Sequence, residues 1–220
     1  MELNKYIDHT LLKAEATPKD IEKLCREAIE YDFFAVCVNS YYVPLAKKCL
    51  AGSDVKIASV IGFPLGAMST ESKVFETEDA AMNGASEIDM VLNVGLLKSG
   101  DIQACKEDIA AVVDAANKHN AIVKVILETC YLTEEEIKTA SIISKEAEAH
   151  FVKTSTGFGS AGAKVEHVAL MRQTVGPEMG VKASGGIRDL DTALAMIDAG
   201  ANRLGVSAGI AIIKEAEERN

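Results

Sequence analysis

Eight short apolar runs recur along the chain, and helical patterns separate them. The runs are Tyr6–His9, Phe34–Val38, Lys56–Ile61, Glu87–Leu92, Ile122–Leu127, His150–Thr154, Gly180–Ala183 and Arg203–Val206. Strands that alternate with helices from end to end argue for a parallel α/β fold. Eight is the number that closes such a sheet into a barrel. No linker, low-complexity tract or charge block divides the 220 residues. The expected fold is therefore α/β, a single (β/α)8 TIM barrel domain over residues 1–220. A doubly wound open sheet is the alternative, but its GxGxxG fingerprint is missing after the first strand.

The stretches between the runs carry helix punctuation. Thr17-Pro18 places a cap before a proline in the first turn, and Ile21, Leu24, Cys25, Ala28 and Ile29 form one apolar face. Thr133-x-x-Glu136 has the form of a capping box. Ile102, Cys105, Ile109, Val112 and Val113 mark another helical stripe. Gly84 and Gly200 each precede a strand and suit a helix C-terminus.

Composition narrows the function. A net charge of −10 makes nucleic acid a poor partner, and an anionic substrate would need a local cationic site. No apolar run is long enough to cross a bilayer, so no membrane partner is expected. Met1-Glu2-Leu3-Asn4-Lys5 lacks the pattern of a secretory signal, and a cytoplasmic location is expected. The five cysteines are odd in number and contain no CxxC pair, so reduced, mostly buried thiols are expected. His9, His119, His150 and His167 lack metal-ligand spacing, no GxSxG elbow occurs, and no metal is expected.

The informative oddity is charge inside the strands. Strands buried on both faces should read as continuous apolar runs. Yet Asp89, Lys153 and Lys182 interrupt three of them, and Asp8, Lys124 and Glu128 extend the set. Desolvating an unpaired charge is expensive, so these groups should face one another in a shared polar interior. They could be buried ion pairs that only fix the fold. Lys153 and Lys182 together weaken that reading. They would lie on consecutive strands about 4.8 Å apart, near the carboxyl ends where barrel active sites are found. An ordinary lysine, with a pKa near 10.4, is neutral only about once in a few thousand molecules at pH 7. A neighbouring cation disfavours the charged form. The neutral amine can then attack a carbonyl carbon to form an imine, whose iminium acts as an electron sink. Asp89 could move protons in the same interior. The chemistry alone leaves open which lysine is the nucleophile. Cys37, in Ala35-Val36-Cys37-Val38-Asn39, is read first as a small core residue.

Glycine-rich segments follow the last strands. Ala183-Ser184-Gly185-Gly186-Ile187 and Gly205-Val206-Ser207-Ala208-Gly209 occupy positions that frequently bind phosphate in barrels. Thr154-Ser155-Thr156-Gly157-Phe158-Gly159 could add hydroxyl and amide donors. Each segment alone could simply form a tight turn. Their placement beside the lysine pair favours phosphate.

Taken together, Tyr6–Leu12, Glu87–Asn93, Phe151–Phe158 and Val181–Arg188 resemble the bacterial deoxyribose-phosphate aldolases over essentially the whole chain. The resemblance implies a cofactor-free, reversible cleavage of 2-deoxy-D-ribose 5-phosphate to D-glyceraldehyde 3-phosphate and acetaldehyde. It implies that Lys153 is the Schiff-base lysine. Lys182 would be the second lysine, which lowers the pKa of the first, and Asp89 the acid/base group. Gly185, Gly186 and Ser207 match phosphate-cradling positions, with Gly157 in the adjoining loop. Asp8, Cys37 and Thr156 match positions near the substrate. Some relatives carry lysine where this chain has Phe158, and some end in a tail with a tyrosine that Glu217-Glu218-Arg219-Asn220 lacks. Competing readings are a Schiff-base aldolase for another sugar phosphate, a non-catalytic sugar-phosphate binder and a scaffolding protein. A homodimer or higher homo-oligomer is the expected assembly, since symmetric pairs are the commonest.

Overall fold

A computed structural model describes residues 2–219, so Met1 and Asn220 of the two terminal stretches lie outside the described residues. The strands are β1 (Ile7–Thr10), β2 (Ala35–Asn39), β3 (Lys56–Ile61), β4 (Glu87–Val91), β5 (Ile122–Ile126), β6 (Phe151–Lys153), β7 (Gly180–Ser184) and β8 (Arg203–Val206). The helices are α1 (Pro18–Glu30), α2 (Val43–Cys49), α3 (Thr70–Asn83), α4 (Val94–Ser99), α5 (Ile102–Asn117), α6 (Glu134–Glu146), α7 (Val165–Val175), α8 (Leu190–Asp198) and α9 (Gly209–Glu218). Each strand is followed by at least one helix, and the parallel strands close in sequence order, with β8 pairing back onto β1. This is the (β/α)8 barrel that the alternation predicts. Strand ends differ from the expected ones by a residue in several places. Hydrogen bonding, rather than apolarity, sets where a strand stops. No described helix is long and apolar enough to cross a membrane.

The helix signals act locally as read. The Asp20 carboxylate accepts from the Thr17 amide at 2.8 Å and from its hydroxyl at 2.6 Å. Glu136 accepts from the Thr133 amide at 2.8 Å, while Thr133 Oγ1 accepts from the Glu136 amide. Such reciprocal caps satisfy donors that the first helical turn leaves free. Gly84 and Gly200 end their helices at positive φ, a region costly for other residues.

Alternation along each strand splits the side chains between two environments. Ile7, Val36, Val38, Ile88, Met90, Val123, Val125, Val152, Val181 and Leu204 point outward and join the helices in one large apolar core. Fully burying an aliphatic side chain of this kind contributes about 1.5–3 kcal/mol. The alternate residues fill the barrel. On the β2–β3 side they form a second, small apolar cluster of Leu12, Cys37, Ala58 and Val60, against which Phe63 packs. On the other strands they are Asp8, Glu87, Asp89, Lys124, Lys153, Lys182 and Arg203, all at most 5% exposed. Gly180 shows how tightly the barrel floor is filled, because a Cβ there would lie 2.2 Å from the Phe151 ring.

Candidate active site

Register brings the charges together. Lys153 stands opposite Lys182 across β6 and β7, and Asp89 opposite Lys124 across β4 and β5. Asp89 is the hub. Its Oδ2 accepts from Lys153 Nζ and from Lys182 Nζ, each at 2.8 Å, while Oδ1 accepts from Lys124 Nζ at 2.7 Å. The two lysines on β6 and β7 therefore share one carboxylate oxygen. Lys182 reaches on to Asp8, and Asp8 accepts from Arg203 Nε at 2.7 Å. Glu87 closes the floor, 2.9 Å from Arg203 and 2.5 Å from Lys124.

The electrostatics follow from these contacts. Burial alone would raise the Asp89 carboxyl, but Lys124, Lys153 and Lys182 outweigh it and hold the group well below the usual carboxylate range. Burial also opposes ionisation of Asp8, yet Lys182, Arg203 and Lys124 bring it down to about 2. Burial would discharge Lys182, but Asp8 and Asp89 push its ammonium above the usual lysine value. Lys182 is thus the fixed cation that the sequence places beside Lys153. What the sequence does not show is that both lysines face a common anion.

A cavity of about 380 Å³ opens above Lys153 at the carboxyl ends of the strands. Thr156, Gly157, Gly185, Gly186 and Ser207 line it, so the three glycine-rich loops converge there. Gly185 and Gly186 have successive φ values of 86° and 81°, a backbone turn that side chains rarely tolerate. Lys13 and Arg188 also line the cavity and supply the positive charge an anionic substrate needs. Neither was selected from sequence, because exposed basic residues are common. Thr156 is held from below: its hydroxyl and amide donate to Glu128, a buried carboxylate with φ of 55°.

Asp8 and Cys37, expected near the substrate, do not line the cavity. Both are fully buried in the layer below, with Cys37 Sγ 4.0 Å from Asp89 Oδ2. Burial pushes the Cys37 thiol up, so it sits there neutral, as the core reading expects. Arg203 and Glu87 are parts of the network that sequence reading missed. Each begins a strand, where a charge ordinarily meets solvent. The signal that could have found them is parity along the strand: Glu87 lies two residues from Asp89, and Arg203 two residues from Gly205, the register partner of Asp8.

Residues 3–215 match the family model described as DeoC/LacD family aldolase. The chain belongs to this family. A deoxyribose-phosphate aldolase from Brevibacillus brevis is 61% identical over 217 residues, covering 99% of this chain and 97% of that protein. One from Coprothermobacter proteolyticus is 62% identical over 215 residues, covering 98% and 97%. Among solved structures, the tetrameric deoxyribose phosphate aldolase from Aeropyrum pernix superposes with a TM-score of 0.90 at 34% identity, over 99% of this chain and 92% of that one. Family membership and barrel geometry agree that the chain is an aldolase.

Proposed function

We propose that this chain reversibly cleaves 2-deoxy-D-ribose 5-phosphate to D-glyceraldehyde 3-phosphate and acetaldehyde, through a Schiff base on Lys153. The observation that carries the proposal is the single Asp89 oxygen, 2.8 Å from Lys153 and from Lys182, beneath a glycine-lined cavity. A mere binder has no use for two lysines on one buried carboxylate. Proteins about 61% identical that bear the name deoxyribose-phosphate aldolase point to the substrate.

In this reading the phosphate rests against the loops of Gly185, Gly186 and Ser207, with Lys13 and Arg188 at the rim. That orientation sends the aldehyde carbon, C1, down towards Lys153. The neutral Lys153 amine attacks C1, and the carbinolamine hydroxyl takes a proton from the Asp89–Lys182 pair through a water and leaves as water, giving an iminium; the C3 hydroxyl later returns that proton. The iminium's positive charge forms where Asp89 is already fixed 2.8 Å from Lys153, so the anion that stabilises it is in place beforehand. The C3 hydroxyl proton leaves through a water to the Asp89–Lys182 pair, and the C2–C3 bond breaks as its electrons flow into the iminium, leaving an enamine at C1–C2. The enamine then takes a proton at carbon and is hydrolysed to acetaldehyde. Asp89, held so far below the usual carboxylate range, is a weak base by itself. Its part is to anchor both lysines and pass the proton between water and Lys182.

The whole barrel acts as one catalytic domain, without a cofactor. A phosphorylated sugar is held inside cells by its charge, which supports a cytoplasmic enzyme. Homo-oligomerisation is part of the same proposal, prompted by the tetrameric relative, and light scattering of the purified protein tests it. The reaction is tested by borohydride reduction with acetaldehyde and peptide mapping. A label on Lys153 is expected; a label elsewhere, or none, overturns the assignment. Comparing cleavage of deoxyribose 5-phosphate with that of fructose 1,6-bisphosphate tests the substrate.

A further inference from the structure

The network beneath the cavity is unbalanced. Its connected cations are Lys124, Lys153, Lys182 and Arg203, and its carboxylates are Asp8, Glu87 and Asp89. Four cations against three carboxylates leave one positive charge in excess, in a region almost closed to water. An uncompensated charge there is expensive, and loss of one proton relieves it. Arg203 cannot supply that proton, because a guanidinium stays charged. Lys124 lies within reach of three carboxylates and Lys182 of two. Lys153 touches one, and shares that oxygen with Lys182. It is also the only one of the four that lines the cavity.

We propose that Arg203, on the barrel floor and far from the substrate, is a positioning residue for the reaction: its charge keeps the interior one cation above its carboxylates, so that Lys153 is the amine left neutral. This rests on the reading of Lys153 as the Schiff-base lysine. The surroundings of Lys153 are consistent with the count. On the β2 and β3 side the barrel interior holds the neutral Cys37 thiol and the apolar Ala58 and Val60. Glu128, after β5, is tied to Thr156 and forms no ion pair among the described residues. Lys13 and Arg188 stand at the exposed rim, where solvent screens them. Arg203 is fixed in place by Asp8, by Glu87 and by the Phe34 ring, whose centroid lies 3.6 Å from the guanidinium carbon.

The test follows imine formation directly, by cyanoborohydride trapping of acetaldehyde as a function of pH, with mass mapping of the label. Acetaldehyde carries no phosphate, so the profile reports the amine. In Arg203→Met the interior is balanced with Lys153 protonated, and the acid limb of the trapping rate moves up by about one pH unit, the effect of one charge separated from Lys153 by Asp8, Lys182 and Asp89 at an effective dielectric of about 20. Arg203→Lys keeps the charge and leaves the limb in place. The double variant Glu87→Gln with Arg203→Met restores one excess cation, and the limb returns to its wild-type position. A merely structural role predicts the opposite, since the double change disturbs the floor at least as much as the single one. If Arg203→Met does not fold, Lys124→Met removes one cation from the same network and carries the same expectation. A folded charge-deleting variant with an unmoved limb, or a double variant displaced like the single, overturns the proposal. A label on a lysine other than Lys153 overturns the Schiff-base reading instead.

Discussion

The two sides of the barrel interior are built from opposite materials. On β2 and β3 the inward residues are Cys37, Ala58 and Val60, small or apolar and joined by Leu12 and Phe63. On β1, β4, β5, β6, β7 and β8 they include ionisable groups bonded into one network. Both sides are equally dry. The apolar side stabilises the barrel by burial alone, whereas the ionic side makes little net contribution, because desolvation offsets most of the pairing. What the ionic side gains is chemistry: an amine, a fixed cation and an anion within hydrogen-bond reach. The apolar side keeps the local dielectric low and so lets those charges act on one another. Stability and catalysis are thus separated around one ring of strands, and substitutions on the two sides should fail differently.

The largest effect should come from Lys153→Ala. Turnover should fall by at least ~10⁴-fold, since no other cavity-lining lysine touches Asp89, while the circular dichroism spectrum is retained. A variant that still cleaves substrate would show that the ionic side does not supply the nucleophile. Lys182→Leu comes next. It removes the fixed cation and leaves Asp8 and Asp89 each one partner short. A loss on the order of 10²–10³-fold at pH 7 is expected, partly recovered at higher pH. Near-normal activity at pH 7 would refute the role given to Lys182. By contrast, Val60→Ala on the apolar side should cost about 1–2 kcal/mol in urea denaturation and change kcat less than about threefold.

Acid sensitivity separates the sides as well. The folded-state value of Asp8 is depressed to about 2 from an ordinary 3.8. Its contribution is fully present above pH 3.8 and is lost as the pH falls through about 2, and it amounts to about 2 kcal/mol. Stability measured by denaturant between pH 5 and pH 2 should decline over that window, and Asp8→Asn should flatten the decline. If the slope is the same in both proteins, the Asp8 pairs do not carry the acid response.

Much of this division was legible in the sequence. Asp89, Lys153 and Lys182 were conspicuous because each breaks an apolar run, and the cost of burying an unpaired charge put them, with Lys124, in one polar interior. The glycine loops were legible because they follow strands directly. Arg203 and Glu87 were not, since a charge at the first position of a strand is ordinary until register carries it inside. Nor was the buried Lys73–Asp108 pair, 2.6 Å apart between α3 and α5, because both residues sit in helices where charge is expected to face solvent. The shared Asp89 oxygen was out of reach for another reason. Side chains meeting across the barrel come from strands far apart in the chain, and only closure of the ring brings them together.

The smallest effect concerns the rim, where the two sides meet. Phe158 is 55% exposed and packs edge-to-face on Phe63, 5.2 Å between centroids, linking the β6 loop to the apolar side. Some relatives of this family carry lysine at that position. Phe158→Lys should give up an aromatic contact of about 0.5–1.5 kcal/mol and add a cation at the edge of the cavity. A solvated charge near a phosphate is worth less than about 1 kcal/mol, so KM for deoxyribose 5-phosphate should fall only a few-fold, with kcat nearly unchanged. The control is unphosphorylated deoxyribose, for which the added cation has no target. The ratio of kcat/KM for the two sugars should therefore rise in the variant. A ratio that stays fixed would mean that the glycine loops, with Lys13 and Arg188, already carry the entire phosphate grip, and that Phe158 serves only to tie the ionic side to the apolar one.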